Sequence, residues 1–260
     1  MGKTILVAAR KGGVGKTMTA ASLGIGLARQ GKKTLLIDAD SQYSLTISLG
    51  VKTPEKLTTT LATVMMDIIN ERDIDPTAGI IHHSEGVDLL PANQSLTGIE
   101  LALAPLIGRE TILRQYIEKV KALYDFVLID TPPTLDLLTI NALAAADSVI
   151  IPIAPKFLDA KGLEHLLKSV AQIRRQINPT LEIGGILLTM VDRRANFTRE
   201  IISLVENAYG NNIRIFNENI PHSVRATEST AQGISIFAHD PNGKVATAYQ
   251  SLVWEVLDCA

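Results

Sequence analysis

The sequence predicts an open α/β fold: a doubly wound, mostly parallel sheet with helices on both faces. Three observations carry this. Apolar runs alternate with amphipathic stretches from end to end. The runs are built from Ile, Leu, Val and Ala, as strands buried on both faces require, and aromatic residues are only 4% of the chain. A glycine-rich loop stands between the first apolar run and the first helical pattern, where a phosphate-binding loop has to stand.

Taken in order, the first strand is expected at Thr4–Ala9. Lys11-Gly-Gly-Val-Gly-Lys-Thr17 follows, and Thr19 to Ala28 read as a helix of small residues. The second strand, Thr34–Ile37, runs into Asp38 and Asp40. Further strands are expected at Val87–Leu90, Phe126–Ile129, Ser148–Ile153 and Ile183–Leu188. The helical stretches are Thr58–Asn70, Arg109–Leu123, Leu135–Ala146, Leu158–Ile177, Asn196–Tyr209 and Gly243–Val256. The least regular region, Asn70–Gly86, reads as a connection with a short sheet extension; its adjacent His82 and His83 would face opposite sides of a strand. Right-handed crossovers put the loops after the strands along one sheet edge, where ligands bind in such folds.

The loop carries the clearest chemistry. Backbone N–H groups of Gly12, Gly13, Val14 and Gly15 can surround a polyphosphate, with the helix N-terminus adding a favourable dipole. Lys16 can reach the β- and γ-phosphates, and the Thr17 hydroxyl can ligate Mg²⁺. The common pattern G-x-x-x-x-G-K-[ST] fails here by one residue, because Arg10 occupies its first glycine position. The form that fits is K-G-G-x-G-K-[ST], with the additional Lys11. A lysine so early in the loop does not turn back easily onto its own phosphates; it is better placed to reach a nucleotide on a facing subunit. Acidic partners are expected at strand ends. Asp130 closes an apolar strand, and Asp38 and Asp40 lie on the turn after theirs. Carboxylates gathered there repel one another unless a cation sits among them, so the set implies Mg²⁺. The residues alone do not rank Asp38 against Asp40.

The loop, Ile37-Asp-Ala-Asp-Ser-Gln42, Leu89-Leu-Pro-Ala92, Tyr124-Asp-Phe-Val-Leu-Ile-Asp-Thr-Pro-Pro133 and Ile220-Pro-His-Ser-Val-Arg225 together resemble the deviant-Walker ATPases, and most closely the ParA/Soj-type partition ATPases of the ParA/MinD superfamily. The resemblance covers nearly the whole chain. It implies an ATPase that uses ATP and Mg²⁺, with catalytic Lys11, Lys16 and Asp40, and with Thr17, Asp38 and Asp130 at the metal. It implies a nucleotide site formed by Gly12, Gly13, Val14, Gly15, Lys16, Thr17 and Met18, with Met190 and Pro221 flanking the base. Met18 stands where the family usually has threonine, and Arg10 where glutamine is more usual. The resemblance further implies an ATP-dependent homodimer whose interface lies against Pro155–Leu163, non-specific DNA binding through Arg193, Arg194 and Arg225, and a ParB-like partner that stimulates slow hydrolysis. The expected setting is cytoplasmic and nucleoid-associated, serving DNA partition or segregation.

Composition bounds these expectations. The net charge is −2, so a DNA site has to be a local patch. One cysteine, Cys259, permits no disulfide within the chain and no cysteine-held cluster. Residues 1–260 are expected to form a single P-loop domain, the first strand beginning too early for an N-terminal helix-turn-helix extension. The competing reading is a MinD-like positioning ATPase on a membrane or protein scaffold. A membrane version needs a basic amphipathic C-terminus, whereas residues 249–260 carry Glu255 and Asp258 and no Lys or Arg. No membrane contact is therefore expected.

Overall fold

A computed structural model describes residues 2–192 and 194–259, and the side chains within that range except those of 157–160. Seven strands form one sheet: β1 (Lys3–Val7), β2 (Thr34–Asp38), β3 (Ile81–His82), β4 (Asp88–Leu90), β5 (Phe126–Asp130), β6 (Ser148–Ile153) and β7 (Glu182–Leu188). Their order is β3-β4-β2-β5-β1-β6-β7, and every pairing is parallel except β3 with β4. The helices are α1 (Lys16–Arg29), α2 (Ser44–Ser48), α3 (Leu61–Ile69), α4 (Leu96–Leu103), α5 (Ile112–Val120), α6 (Leu137–Ala145), α7 (Phe157–Gln176), α8 (Asn196–Tyr209), α9 (Val224–Gln232), α10 (Ile236–His239) and α11 (Lys244–Leu257).

The strands alternate their side chains between two cores, as a period of two demands. Leu6, Leu35, Ile37, Val127, Ile129, Val149 and Ile151 face the layer packed by α3 to α8. Ile5, Leu36, Phe126, Leu128 and Ile150 face the layer packed by α1, α10 and α11. Neither face of the central strands meets water, which is why their sequences read as unbroken apolar runs.

The C-terminal helix α11 belongs to this second layer. Val245, Tyr249, Leu252, Val253 and Val256 are buried against α1, and the Tyr249 hydroxyl lies 3.2 Å from Thr19 Oγ1. Its apolar face is thus committed to the core. No helix among the described residues is long and apolar enough to cross a membrane.

Several expected boundaries shift for local reasons. The stretch from Thr58 becomes helical only at Leu61, because Thr60 and Thr63 form a reciprocal capping box. The Arg109–Leu123 stretch resolves into α5 with a 3₁₀ turn at each end. The Asn70–Gly86 connection does supply the short extension β3, where exposed His82 meets Asp88 at 2.5 Å. Helices α2, α4, α9 and α10 carry no clear sequence signal. Two are five residues or fewer, and α4 holds Gly98 and the exposed Leu101, which interrupt the helical apolar pattern.

Candidate nucleotide-binding site

Strand register builds the site. Val7, the last residue of β1, pairs with Asp130, the last residue of β5, and Asp130 pairs with Asp38, the last residue of β2. The glycine loop and two carboxylates therefore leave the sheet side by side, at one level of its C-terminal edge. The Thr131 hydroxyl donates to the Val7 carbonyl at 3.1 Å and fixes the exit from β5 against β1.

The loop itself turns on two residues with left-handed backbone, Gly13 (φ 75°) and Gly15 (φ 79°), a conformation that side-chain-bearing residues adopt only with strain. Gly15 caps α1, so the N–H groups of Lys16, Thr17 and Met18 have no partner within the helix and are offered to an anion. Val14 anchors the loop. Its side chain is buried with Ala9 and Ala154, and its carbonyl accepts from Thr189 Oγ1 at 2.8 Å. Met18 turns its side chain away from the phosphate region toward Thr230 of α9, leaving only its backbone for the loop.

Charges are concentrated and buried here. Lys16 is 7% exposed, and its Nζ reaches the Lys11 carbonyl at 3.4 Å. Burial lowers its pKa, partly offset by Asp130 and Asp40. Thr17 donates its hydroxyl to Asp130 Oδ2 at 2.6 Å. Asp130 is fully buried and its pKa is pushed up to about 8, first by burial and then by Asp38. Its Oδ1 has no hydrogen-bond partner. A buried carboxylate oxygen lacking a donor, beside a threonine hydroxyl and two further carboxylates, fits a hard divalent cation and its bound water. Asp38 differs. Its Oδ2 accepts from Thr46 N (2.8 Å) and Thr46 Oγ1 (2.7 Å), and its Oδ1 from Asp40 N (3.2 Å). Burial raises its pKa to about 6 against these bonds. Asp40 accepts from Gln42 N at 2.9 Å on Oδ1 and is 7% exposed.

These shifts set a pH dependence. A cation that needs ionised Asp130 must displace its proton at any pH below about 8. Mg²⁺-ADP affinity should therefore rise with pH by at most about tenfold per unit and level off above the Asp130 pKa. Calorimetry in two buffers of different ionisation heat, at about pH 7 and about pH 9, should show proton release at the lower pH only. Without nucleotide the sign for stability is opposite. Carboxyl pKa values raised by folding contribute stability that is complete below the unfolded value of 3.8. That contribution is lost as pH rises through about 6 for Asp38 and about 8 for Asp130.

An open cleft of about 1100 Å³, large enough for a nucleoside, is lined from Met190, the residue after the loop-anchoring Thr189, and by none of the residues of the phosphate loop itself. Met190 and Pro221 both line it, with Pro155, Asp192, His222 and Lys244. The Val191–Pro221 bridge brings the two expected base-flanking residues together, and Met190 holds a left-handed φ of 53° at the rim. The expected DNA contacts are less concentrated. Arg193 lies outside the described residues. Arg194 is exposed on the cleft wall, 3.9 Å from Asp192, and Arg225 stands in the first turn of α9 with Glu228 at 3.3 Å. The segment Pro155–Leu163 opens α7, and the side chains of residues 157–160 lie outside the described set. Sequence reading missed Thr46, which holds Asp38 from eight residues away, and missed the anchoring of the loop by Thr189, 175 residues beyond it; both contacts lie outside any short motif.

A doubly wound sheet with this loop and these acids at its C-terminal edge defines a P-loop nucleotide hydrolase of the deviant-Walker class. Comparison with known proteins narrows the class. The AAA domain family model matches residues 2–183. The chain is 38% identical over 256 residues to the sporulation initiation inhibitor protein Soj of Bacillus subtilis, covering 98% of each chain. It is 35% identical over 257 residues to the chromosome partitioning protein ParA of Caulobacter vibrioides, covering 98% of this chain and 94% of that one. Cobyrinic acid a,c-diamide synthase from Mycobacterium smegmatis, solved with bound ADP and magnesium, has a TM-score of 0.86 at 33% identity over 99% of this chain and 94% of its own. The chain belongs to the ParA/Soj family of P-loop ATPases.

Proposed function

We propose that this chain is a single-domain, ParA-like partition ATPase that hydrolyses ATP with Mg²⁺, dimerises on ATP, and in that form binds DNA without sequence specificity. The observation that carries the hydrolytic part is the register-matched pair Asp38–Asp130 beside Thr17, with Asp130 Oδ1 lacking a donor. The phosphate loop, Gly12 to Thr17, holds the β- and γ-phosphates through its N–H groups and Lys16. Thr17 and Asp130 would hold the metal, with Asp38 supporting them. Mg²⁺ when bound neutralises the phosphate oxygens as charge builds on them. Asp40, on the turn beside this pair, orients the attacking water. Met190 and Pro221 enclose the base.

Lys11 of each subunit reaches the nucleotide of the other and acts as a trans charge donor, so the γ-phosphate gates dimerisation. Arg193, Arg194 and Arg225 contribute phosphate contacts that the dimer doubles, and a ParB-like partner stimulates turnover. The setting is the cytoplasm, on the nucleoid. The partition reading rests on full-length similarity to proteins named for chromosome partitioning, such as the Caulobacter vibrioides relative. The Mycobacterium smegmatis neighbour bears the name of a synthase, and its likeness bears on the fold and the nucleotide site. Phosphate release from ATP tests the enzymatic core. Slow turnover that requires Mg²⁺ is expected; a protein that binds Mg²⁺-ATP yet releases no phosphate, with or without DNA, is a nucleotide-gated binder instead.

A further inference from the structure

We infer that Thr46 is a positioning residue for hydrolysis, holding the Asp38 carboxylate and through it the Asp40 turn; the inference rests on the ATPase reading above. Thr46 lies in the short helix α2 and is fully buried. Its hydroxyl accepts from the Ala92 N–H at 2.9 Å, so its one proton is directed to Asp38 Oδ2, 2.7 Å away. Its own N–H donates to the same oxygen at 2.8 Å. The other Asp38 oxygen accepts from the Asp40 N–H. A chain of hydrogen bonds thus runs from the segment after β4, through Thr46 and Asp38, to the backbone of the proposed water-orienting residue.

The turn it steadies is strained. Tyr43 has a φ of 43°, a left-handed conformation costly for a bulky residue, and its N–H donates to the Asp40 carbonyl at 2.8 Å. Such a turn keeps its shape only while its surroundings over-determine it, and Thr46 supplies that constraint from α2. The phosphate loop is anchored separately, by Val14 and Thr189. Loss of the Thr46 hydroxyl should therefore act on turnover and spare nucleotide affinity.

The test compares Thr46→Val, which removes the hydroxyl at similar volume, with Thr46→Ser, which keeps it. Phosphate release under saturating Mg²⁺-ATP gives kcat, and ADP titration in EDTA gives the affinity of the phosphate loop alone. Thr46→Val should lower kcat by about 10–100-fold, the range for groups that orient a reacting centre from behind, with ADP affinity within about threefold of wild type. Thr46→Ser should stay within about threefold of wild type on both. Should Thr46→Val fail to fold, Thr46→Ala also lacks the hydroxyl, and its smaller side chain leaves space for water at the Ala92 N–H, so it reads the same comparison. Wild-type kcat in the hydroxyl-free variant, or equal losses in the hydroxyl-free and serine variants, would overturn the positioning role. Wild-type protein that itself releases no phosphate overturns the ATPase reading instead, so the two failures are distinguishable.

Discussion

Asp40→Ala should release phosphate about 10²–10⁴-fold more slowly than wild type, the contribution of a group that orients or deprotonates the attacking water. Mg²⁺-ATP binding should survive, because the loop and the Thr17–Asp130 pair are untouched. The geometry favours Asp40 over Asp38 for the water. Asp38 is fully buried, and both of its oxygens are taken by Thr46 and by the Asp40 N–H. Asp40 accepts on Oδ1 from Gln42 N and keeps a small solvent-facing surface. The expected product is an ATP-loaded state that persists. Single-turnover phosphate release separates the outcomes: a variant that hydrolyses at the wild-type rate removes Asp40 from the mechanism.

Lys11→Ala should bind Mg²⁺-ATP as a monomer where wild type is expected to dimerise, and should lose turnover by about 10³–10⁵-fold, the range of a charge donor supplied in trans. Lys16 occupies the phosphate-reaching position at the start of α1 and is buried, whereas Lys11 sits at the loop's entrance and offers its carbonyl to Lys16. Two lysines in one loop with such different placements are expected to serve different phosphates. Light scattering of wild type and variant with Mg²⁺-ATP checks this. A Lys11→Ala protein that still dimerises would sink the cross-subunit role, and one that no longer binds ATP would place Lys11 in its own subunit's site.

Much of this architecture is legible in the chain because parallel strands buried on both faces leave unbroken apolar runs, and the ligand-bearing loops follow them directly. The phosphate loop, Asp38, Asp40 and Asp130 were visible for that reason: each sits at or just past the end of such a run. Strand order was not visible, since nothing in Thr34–Asp38 or Phe126–Asp130 records that these strands are neighbours, and only register brings Asp38 beside Asp130. The supporting hydroxyls were hidden too. Thr46 and Thr189 are ordinary threonines in sequence, and their roles depend on tertiary contacts to Asp38 and Val14. Met18 was read from its place in the loop, but its side chain follows the helix surface toward Thr230. Arg225 shows the same limit for charge: Glu228, one turn on, takes up part of its positive field, which a residue count does not reveal.

Binding of wild-type protein to arbitrary duplex DNA, measured across a salt series with Mg²⁺-ATP, with Mg²⁺-ADP and without nucleotide, tests the central claim most directly. Binding is expected with Mg²⁺-ATP only, weakening steeply as salt rises because lysine and arginine displace counterions from phosphate. Equal binding in all three states, or none in any, would contradict it.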